Sequence, residues 1–159
     1  MAPDDDSPER LVAQNRRARH DYFILETFEA GLVLSGTEVK SLRLGRASLG
    51  EAYATIEGDE AFVHHLHIPP YEQGNRWNLD PVRRRKLLLH RAEIARLRKA
   101  VEQKGHTVIP LKLYFSGGYA KLLVAVGKGK QTHDKRHAIA ERDAKREIDR
   151  ARRGTERRR

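Results

Sequence analysis

Cysteine is absent from this sequence of 159 residues, and so is any long apolar run. Without cysteine the chain can form neither disulfides nor thiolate metal sites, which fits a reducing compartment. No apolar run approaches the roughly 20 residues that a membrane-spanning helix needs. The first ten residues, MAPDDDSPER, lack the apolar stretch of a secretory signal. We therefore expect a soluble, cytoplasmic protein that makes no membrane contact.

The motifs of common enzymes are also missing. The sequence has no nucleophile elbow, no phosphate-binding loop and no dinucleotide-binding fingerprint. Glu38 and Lys40 have the spacing found at the end of a Mg²⁺-dependent nuclease site, in which a carboxylate holds the metal. A short surface helix with Val39 turned inward is the commoner explanation for the same three residues. We expect no catalytic residue and no cofactor.

Three neighbouring histidines, His64, His65 and His67, form the only other pattern with possible chemistry. On a strand His65 and His67 would share a face, and this spacing could serve a metal. No carboxylate or cysteine is placed to complete such a site. A surface strand is the commoner explanation, so that no metal is expected.

Positive charge is concentrated at the C-terminal end of the chain. The net charge is +10, and residues 128–159 carry 13 Lys or Arg against 6 Asp or Glu, which leaves a surplus of only three for the rest. A nearly balanced body with a strongly basic tail indicates nucleic acid or an anionic membrane as partner. The tail lacks the bulky apolar face of a membrane-surface helix, so nucleic acid is favoured.

The segment GKGKQTHDKRH, at 127–137, marks the point where the alternating apolar pattern ends and the charged tail begins. Two glycines alternate with two lysines, which would let the backbone approach an anion. The segment has almost nothing to bury, so we expect it to take its shape from a partner. RNA binding and a solvated basic linker both remain open for this segment.

Basic residues also cluster in two other places, at 15–20 and at 83–86. Aromatic residues lie in or beside polar segments at Tyr22, Tyr53, Tyr71 and Trp77. Unpaired bases stack on such rings while Lys and Arg hold the backbone. At least half of these rings are expected in the core instead, because a small barrel needs them there.

Periodicity predicts a mainly β fold, a small antiparallel OB-like β-barrel with two or three short helices. Strands are expected at 22–34, with an interruption at Glu29-Ala30-Gly31, and at 52–56, 61–68, 109–115 and 122–126. One short helix is expected between Thr37 and Gly45, and a longer one carries Ile94, Leu97 and Val101. We expect residues 1–10 to be disordered, 11–127 to form the barrel, and 128–159 to form a tail that is disordered when free and helical when bound.

Four stretches of the chain together resemble the SsrA-binding protein family, also called small protein B. They are NRRARHDYFI at 15–24, FEAGLVLSGTEVKSLR at 28–43, DPVRRRKLLLHR at 80–91 and GKGKQTHDKR at 127–136. The resemblance implies an RNA-binding adaptor of bacterial trans-translation whose barrel binds the tRNA-like domain of transfer-messenger RNA. In this family the transfer-messenger RNA is aminoacylated, and elongation factor Tu with GTP carries it into stalled 70S ribosomes. No enzyme activity is implied, and we expect a monomer.

The resemblance also implies which residues meet RNA. The side that faces transfer-messenger RNA would include Asn15, Arg17, Arg19, Tyr22, Glu29, Leu88, Lys128 and Lys130. The tail would lie in the empty decoding centre and mRNA channel, beside 16S ribosomal RNA, with His133, Asp134, Lys135 and Arg136 in contact. Beyond Arg136 the match fades, and Ile148 is the one apolar anchor that we expect there. A carboxylate such as Glu29 would read a base edge rather than a phosphate.

Two alternatives remain at this stage. The chain could be a general ribosome-associated or single-strand RNA-binding protein, which preference for one structured RNA would exclude. It could also be a Mg²⁺-dependent nuclease that uses Glu38 and Lys40, which intact RNA in the presence of Mg²⁺ would exclude.

Overall fold

The computed structural model describes residues 9–156, apart from the side chains at 75–77, 132–134, 138, 155 and 156. The elements run in the order β1 (Arg10–Gln14), α1 (Ala18–Asp21), β2 (Tyr22–Leu32), α2 (Gly36–Arg43), β3 (Tyr53–Glu57), β4 (Glu60–His64), a 3-10 helix (Glu72–Trp77), β5 (Arg85–Leu88), α3 (Arg91–Val101), β6 (His106–Ser116), β7 (Tyr119–Gly129) and α4 (Thr132–Glu156).

Six strands close into an antiparallel ring. Neighbours follow the order β6, β3, β4, β5, β2 and β7, and β7 pairs again with β6. β1 pairs with β6 on the edge that faces away from β7, where Arg10 lies opposite Phe115. A closed ring leaves few strand edges to pair with other chains. The predicted OB-like barrel is confirmed.

The barrel is filled by short and branched apolar side chains that alternate along the strands. Ala30, Val63, Leu113, Leu122 and Val124 are all 0% exposed. The same core takes Leu42 from α2 and Leu97 from α3. Burial of each large apolar side chain stabilises the fold by roughly 1.5–3 kcal/mol. The two helices are therefore held against the barrel by the faces that the sequence predicts.

The hairpin of β6 and β7 turns through two glycines. Gly117 and Gly118 have φ of +61° and +78°, and Ser116 pairs with Tyr119 directly across the turn. Two central residues with positive φ give the turn whose twist matches that of the strands, and glycine adopts this conformation without strain. The predicted hairpin is confirmed, and each of its strands is 11 residues long.

The N-terminal region begins its structure earlier than the sequence predicts. We expected disorder through residue 10, but Arg10 is the first residue of β1, and β1 was not predicted at all. Its residues are exposed or half-buried and show no apolar alternation. The strand forms because the edge of β6 offers it hydrogen bonds. Residues 1–8 lie outside the part of the chain that the structure describes.

The tail is one helix, α4, of 25 residues. β7 extends to Gly129, two residues past the limit of 127 that we expected for the barrel. From Arg136 onward, every described side chain of α4 is exposed. The expected disorder of this tail in the free protein stays a prediction. No helix among the described residues is long and apolar enough to cross a membrane.

Candidate nucleic-acid interface

Six of the predicted RNA-binding residues meet at one corner of the barrel, where β1 leads into α1 and β2 begins beside the end of β7. Tyr22 lies opposite Gly129 and Phe23 lies opposite Lys128, so the start of β2 brings the segments 15–22 and 128–130 together. We call this surface the basic corner. It consists of Asn15, Arg17, Arg19, Tyr22, Lys128 and Lys130.

Asn15 is held by β6. Its backbone N–H donates to Leu111 O at 2.8 Å, and its side-chain Nδ2 donates to Pro110 O at 3.1 Å. These bonds fix the turn that leads into α1, where Arg17 and Arg19 are exposed. Arg17, the residue that precedes α1, and Arg19 within α1 are therefore carried by a short helix whose start is anchored to the sheet.

Tyr22 packs on the outside of the barrel rather than standing free. It contacts a small apolar cluster formed by Ala18, Ile109, Leu111 and Ala125. A Cβ built at Gly127 would lie 3.1 Å from Tyr22 Cβ. We expected the glycines of GKGK to let the backbone approach an anion, but Gly127 is a buried strand residue that makes room for Tyr22.

Lys130 connects the end of β7 with α1. Its backbone N–H donates to Asp21 O at 2.9 Å, and its ammonium group donates to Arg19 O at 3.0 Å. The same ammonium lies 5.0 Å from the centre of the Phe23 ring. Three contacts thus hold the lysine beside the backbone of Arg19, whose side chain is exposed. A phosphate at this corner would meet a positioned cluster of cations.

A groove runs along one side of the basic corner. It has a volume of about 770 Å³ and is lined by residues 11–18, Asp21, Tyr22, residues 47–53, Thr107 and Ile109. The groove gives the corner a concave polar wall as well as a charged one.

Glu29 and Leu88, the other two predicted RNA-binding residues of the barrel, lie apart from the basic corner. They line a second concavity of about 430 Å³, which we call the cup. The cup is formed by Glu29, Gly31, Leu32, Leu88, Leu89, His90, Glu93, Tyr119, Ala120 and Lys121. Glu29 lies seven positions after Tyr22 on β2, or roughly 23 Å away at the rise of a strand.

The carboxylate of Glu29 is oriented from two neighbouring strands. The hydroxyl of Tyr114 on β6 donates to Oε2, and Lys121 Nζ on β7 lies 4.0 Å from Oε1. Tyr114 is 2% exposed. Burial, and then the hydrogen bond to Glu29, raise the pKa of the Tyr114 hydroxyl well above its usual range. That hydroxyl therefore stays a donor to Glu29 at physiological pH.

Leu88 lies over Gly31, its partner in the neighbouring strand. A Cβ built at Gly31 would lie 3.2 Å from Leu88 Cβ and 3.5 Å from Leu88 Cδ1. The side chain of Leu88 is nevertheless 55% exposed. Glycine at this position lets an apolar side chain rest on the strand beside the Glu29 carboxylate. The cup thus offers a hydrogen-bond acceptor and an apolar surface side by side.

The predicted ribosome-contacting residues of the tail occupy α4. His133 and Asp134 lie in its first turn, and their side chains are outside the described set. Lys135 Nζ lies 3.5 Å from Asp21 Oδ1, and Arg136 is exposed. Ile148, at 54% exposure, lies much further along the same helix and touches none of the barrel surfaces described above.

Asp21 links α1 to α4. Its carboxylate is 2.9 Å from His20 Nδ1. The hydrogen bond from His20 and the charge of Lys135 hold the pKa of Asp21 below its usual value of 3.8, although partial burial opposes them. The carboxylate is therefore ionised under physiological conditions and available to the first turn of α4.

The cations of the third basic cluster, at 83–86, are paired with carboxylates of the protein. Arg83 Nε and Arg85 Nε donate to Glu38 Oε2 at 3.1 and 2.6 Å. Arg84 is paired with Glu57 at 2.8 Å and Lys86 with Glu60 at 3.3 Å. Arg83 and Arg85 turn toward α2 and Arg84 and Lys86 face outward. All four cations have carboxylate partners within the protein.

The short helix forms with Val39 packed against the core as expected, but Glu38 is buried as well. It is 5% exposed, and Arg85 is 0% exposed. Burial opposes ionisation of Glu38, but Arg83, the Ser35 N–H and Arg85 outweigh it and lower the pKa of the carboxyl. Burial also opposes ionisation of Arg85 and therefore lowers the pKa of its guanidinium, although Glu38 opposes this shift. The buried pair joins α2 to β5.

This arrangement does not favour a nuclease site at Glu38. Both carboxylate oxygens accept hydrogen bonds from within the protein, since the Ser35 N–H donates to Oε1 at 2.9 Å and the two arginines donate to Oε2. Lys40 lies 5.5 Å from the centre of the Tyr71 ring. A carboxylate held in this way would have to break its bonds to the arginines before it could hold a metal.

The histidines are not on a common strand face. β4 ends at His64, whose Nε2 is 2.8 Å from Thr55 Oγ1. His65 follows with φ of +56°, and His67 pairs with Ser48 in an isolated bridge. Among the described residues no group of three or more His, Cys, Asp or Glu could hold a metal ion.

Three residues in or beside the cup were not predicted from the sequence to be functional. Tyr114, Tyr119 and Lys121 lie on the hairpin strands β6 and β7. Tyr119 and Lys121 alternate on one face directly after the Gly117-Gly118 turn, and this alternation is the signal that could have indicated them. Tyr114 gave no signal, because it sits in an apolar run that predicts only a strand.

Comparison with known proteins gives four matches that agree. The family described as SmpB protein matches residues 12–154. Curated proteins named SsrA-binding protein from Acetivibrio thermocellus and Bacillus subtilis are 59% and 54% identical, over 89% of this chain and 92% and 91% of theirs. A solved structure described as "tmRNA-SmpB: a journey to the center of the bacterial ribosome" is 51% identical with a TM-score of 0.66, over 80% of this chain and 93% of that chain.

Proposed function

The chain belongs to the SmpB protein family, and from that membership we propose that it binds transfer-messenger RNA and delivers it to stalled ribosomes for trans-translation. The relatives are SsrA-binding proteins, and the similar solved structure is of tmRNA-SmpB and the bacterial ribosome. The chain is an adaptor in this process. It acts in the cytoplasm, where its partners are, and the RNA carries out the tagging.

The observation that best supports this function is the placement of two different surfaces along β2. The basic corner gathers Arg17, Arg19, Lys128 and Lys130, which suit phosphates. The cup presents a carboxylate, which repels phosphates and suits the N–H groups of a base edge. A surface that only attracted RNA by charge would gain nothing from Glu29. The combination favours recognition of one folded RNA, with the backbone at one end of β2 and an unpaired base at the other.

The tail has a separate role in the proposal. α4 enters the empty decoding centre and mRNA channel, where His133, Asp134, Lys135 and Arg136 lie against 16S ribosomal RNA and Ile148 serves as an apolar anchor further along. The row Arg142, Arg146 and Arg150 is spaced four apart on the helix, so its repulsion is relieved when phosphates lie beside it. Elongation factor Tu with GTP joins the complex through the RNA, and the protein acts as a monomer.

The test is a competition assay with the full chain. Labelled tRNA-like domain is challenged with ordinary tRNA and with random RNA, for the wild type and for Glu29→Ala. The proposal predicts that only unlabelled tRNA-like domain competes well and that Glu29→Ala loses this preference. Equal competition by every RNA would instead indicate a general ribosome-associated or single-strand RNA-binding protein and would refute the proposed function.

A further inference from the structure

The cup contains one aromatic side chain, Tyr119, that was not among the residues predicted to bind RNA. Tyr119 lines the same concavity as Glu29, Leu88 and Lys121, and it is 74% exposed, more than any other large hydrophobic side chain in the described part of the chain. Exposure of a large ring beside an oriented carboxylate needs an explanation, because an apolar surface of this size is stabilised by burial.

The backbone holds Tyr119 in one place. The residue follows the two-residue turn at Gly117-Gly118 and pairs with Ser116 as the first residue of β7. Two-residue turns of this kind set the register of both strands, so the ring stands on a rigid hairpin and not on a loop. A rigid aromatic side chain loses little conformational entropy when a ligand stacks on it.

Three other exposed or half-exposed rings of the barrel have a partner on one face. Tyr53 stacks on His64 with ring centres 5.0 Å apart and planes 12° apart. Phe62 has the guanidinium of Arg84 4.0 Å from its centre, and Phe23 has the ammonium of Lys130 at 5.0 Å. Among the described residues, Tyr119 has no such ring or cation contact. Its faces are available to a ligand.

We propose that Tyr119 stacks on the same unpaired base of the tRNA-like domain whose edge donates hydrogen bonds to Glu29, and that it is thereby a specificity-determining residue of the cup. Glu29 selects a base that presents N–H groups, and Leu88 gives apolar contact. Tyr119 selects for a base that is out of its own stack, because only an unstacked base offers a face to the ring. This inference rests on the function proposed above.

Four substitutions at this position separate stacking from simple apolar contact. Tyr119→Phe and Tyr119→Trp keep a π face, whereas Tyr119→Leu keeps only apolar area and Tyr119→Ala keeps neither. The ring is exposed, so none of them should change the thermal unfolding midpoint. Leu44→Ala is the matched control, since Leu44 is 57% exposed and lies outside the cup. Affinity of each full-length variant for the tRNA-like domain is measured at one fixed salt concentration.

If Tyr119 stacks on a base, Tyr119→Phe and Tyr119→Trp should bind the tRNA-like domain with an affinity within about twofold of the wild type. Leu and Ala should weaken binding by roughly 5- to 150-fold, the range that loss of one base–aromatic stack gives. Leu44→Ala should have no effect. If the affinity of Tyr119→Leu equalled that of the wild type, the stacking role would be overturned. An affinity of Tyr119→Ala within about twofold of the wild type would overturn it as well.

A double-mutant cycle then tests whether the two residues share a base. If they do, Tyr119→Ala and Glu29→Ala together should cost less than the product of the two separate losses. Tyr119→Ala with Arg19→Gln should be multiplicative, because Arg19 belongs to the distant basic corner. A multiplicative loss for the first pair would refute the shared base. If Glu29→Ala loses selectivity and Tyr119→Ala does not weaken binding, this inference fails while the proposed function stands. If the wild type itself shows no selectivity, the proposed function fails.

Discussion

Lys135 in the first turn of α4 holds its ammonium group 3.5 Å from the carboxylate of Asp21, the last residue of α1. The same Asp21 accepts the backbone N–H of Lys130 on its carbonyl oxygen at 2.9 Å. The side chain and the backbone of one residue therefore hold the start of the tail against the basic corner. This contact joins the proposed tmRNA-binding surface to the proposed ribosome-binding helix.

Asp21→Asn should loosen the start of α4. The amide cannot hold an ionic contact with Lys135, so the helix should take up a wider range of orientations. The chain has no cysteine, so nitroxide labels can be confined to cysteines introduced at Arg46 and Arg142. We expect Asp21→Asn to broaden their distance distribution. Asp149→Asn, with the same charge change at an exposed position of α4, should leave it narrow, and equal broadening by both variants would contradict the prediction.

The same contact should respond to acid. His20 and Lys135 lower the pKa of Asp21 below 3.8. A carboxyl with a depressed pKa in the folded state contributes stability above its usual pKa and loses it as the pH falls through the depressed value. The wild-type distance distribution should therefore stay narrow from neutral pH down to about pH 4 and broaden only below that. Broadening between pH 7 and pH 5 would show that another group controls the contact.

Glu38→Gln should destabilise the whole barrel. It leaves Arg83 and the fully buried Arg85 without a carboxylate, and removal of one partner of a buried ion pair costs about 3–5 kcal/mol. Urea unfolding measures the loss. Glu57→Gln is the control, because its pair with Arg84 is exposed and such pairs contribute only about 0–1 kcal/mol. Similar losses for the two variants would mean that the buried pair has no special structural role.

Truncation after Lys130 should separate the two proposed activities. The basic corner and the cup remain intact, so binding to the tRNA-like domain should be largely kept. α4 is removed, so peptide tagging on stalled ribosomes should be abolished. Tagging assays with purified ribosomes measure the second effect. Intact tagging by the truncated protein would show that the tail does not have the role proposed for it.

Charge and base recognition should differ in their response to salt. Arg19→Gln removes one cation from the basic corner, and the slope of log affinity against log salt should fall by roughly 0.7 to 0.9 if Arg19 neutralises one phosphate. Glu29→Ala should leave the slope unchanged while it lowers the preference over ordinary tRNA. A change in slope for Glu29→Ala would mean that the carboxylate acts on the electrostatic part of binding.

Parts of the barrel could be predicted from the sequence where the local residue pattern favours the same structure that the whole fold requires. The β6–β7 hairpin combines strict alternation with the Gly117-Gly118 turn, and α3 combines an apolar stripe with a Glu93 side chain that accepts the His90 N–H at 3.1 Å. β1 was missed because Arg10–Gln14 has no apolar pattern and becomes a strand only when β6 offers an edge. Local sequence contains no record of such a distant partner.

The candidate site shows the same division. Motif resemblance named the six residues of the basic corner and two of the cup, Glu29 and Leu88, but it could not show that they form two surfaces. Charge alone misled at Arg83 and Arg85, because a run of arginines does not reveal that alternate members turn inward to a carboxylate 45 and 47 positions away. Tyr119 was missed because the exposure of a ring at the edge of a hairpin depends on what the fold leaves uncovered.

β2 joins the basic corner to the cup without a loop, and this makes the strand a molecular ruler. Its residues pair with β7 from Tyr22 to Gly31, with one bulge between Ile24 and Glu26, so the sheet fixes the distance between the two surfaces, which is at most roughly 23 Å along the strand. If both surfaces bind RNA as proposed, an RNA would be selected by how far it holds a phosphate cluster from an unpaired base. Two RNAs with identical nucleotides at both contacts would be told apart if their folds placed those nucleotides at different separations.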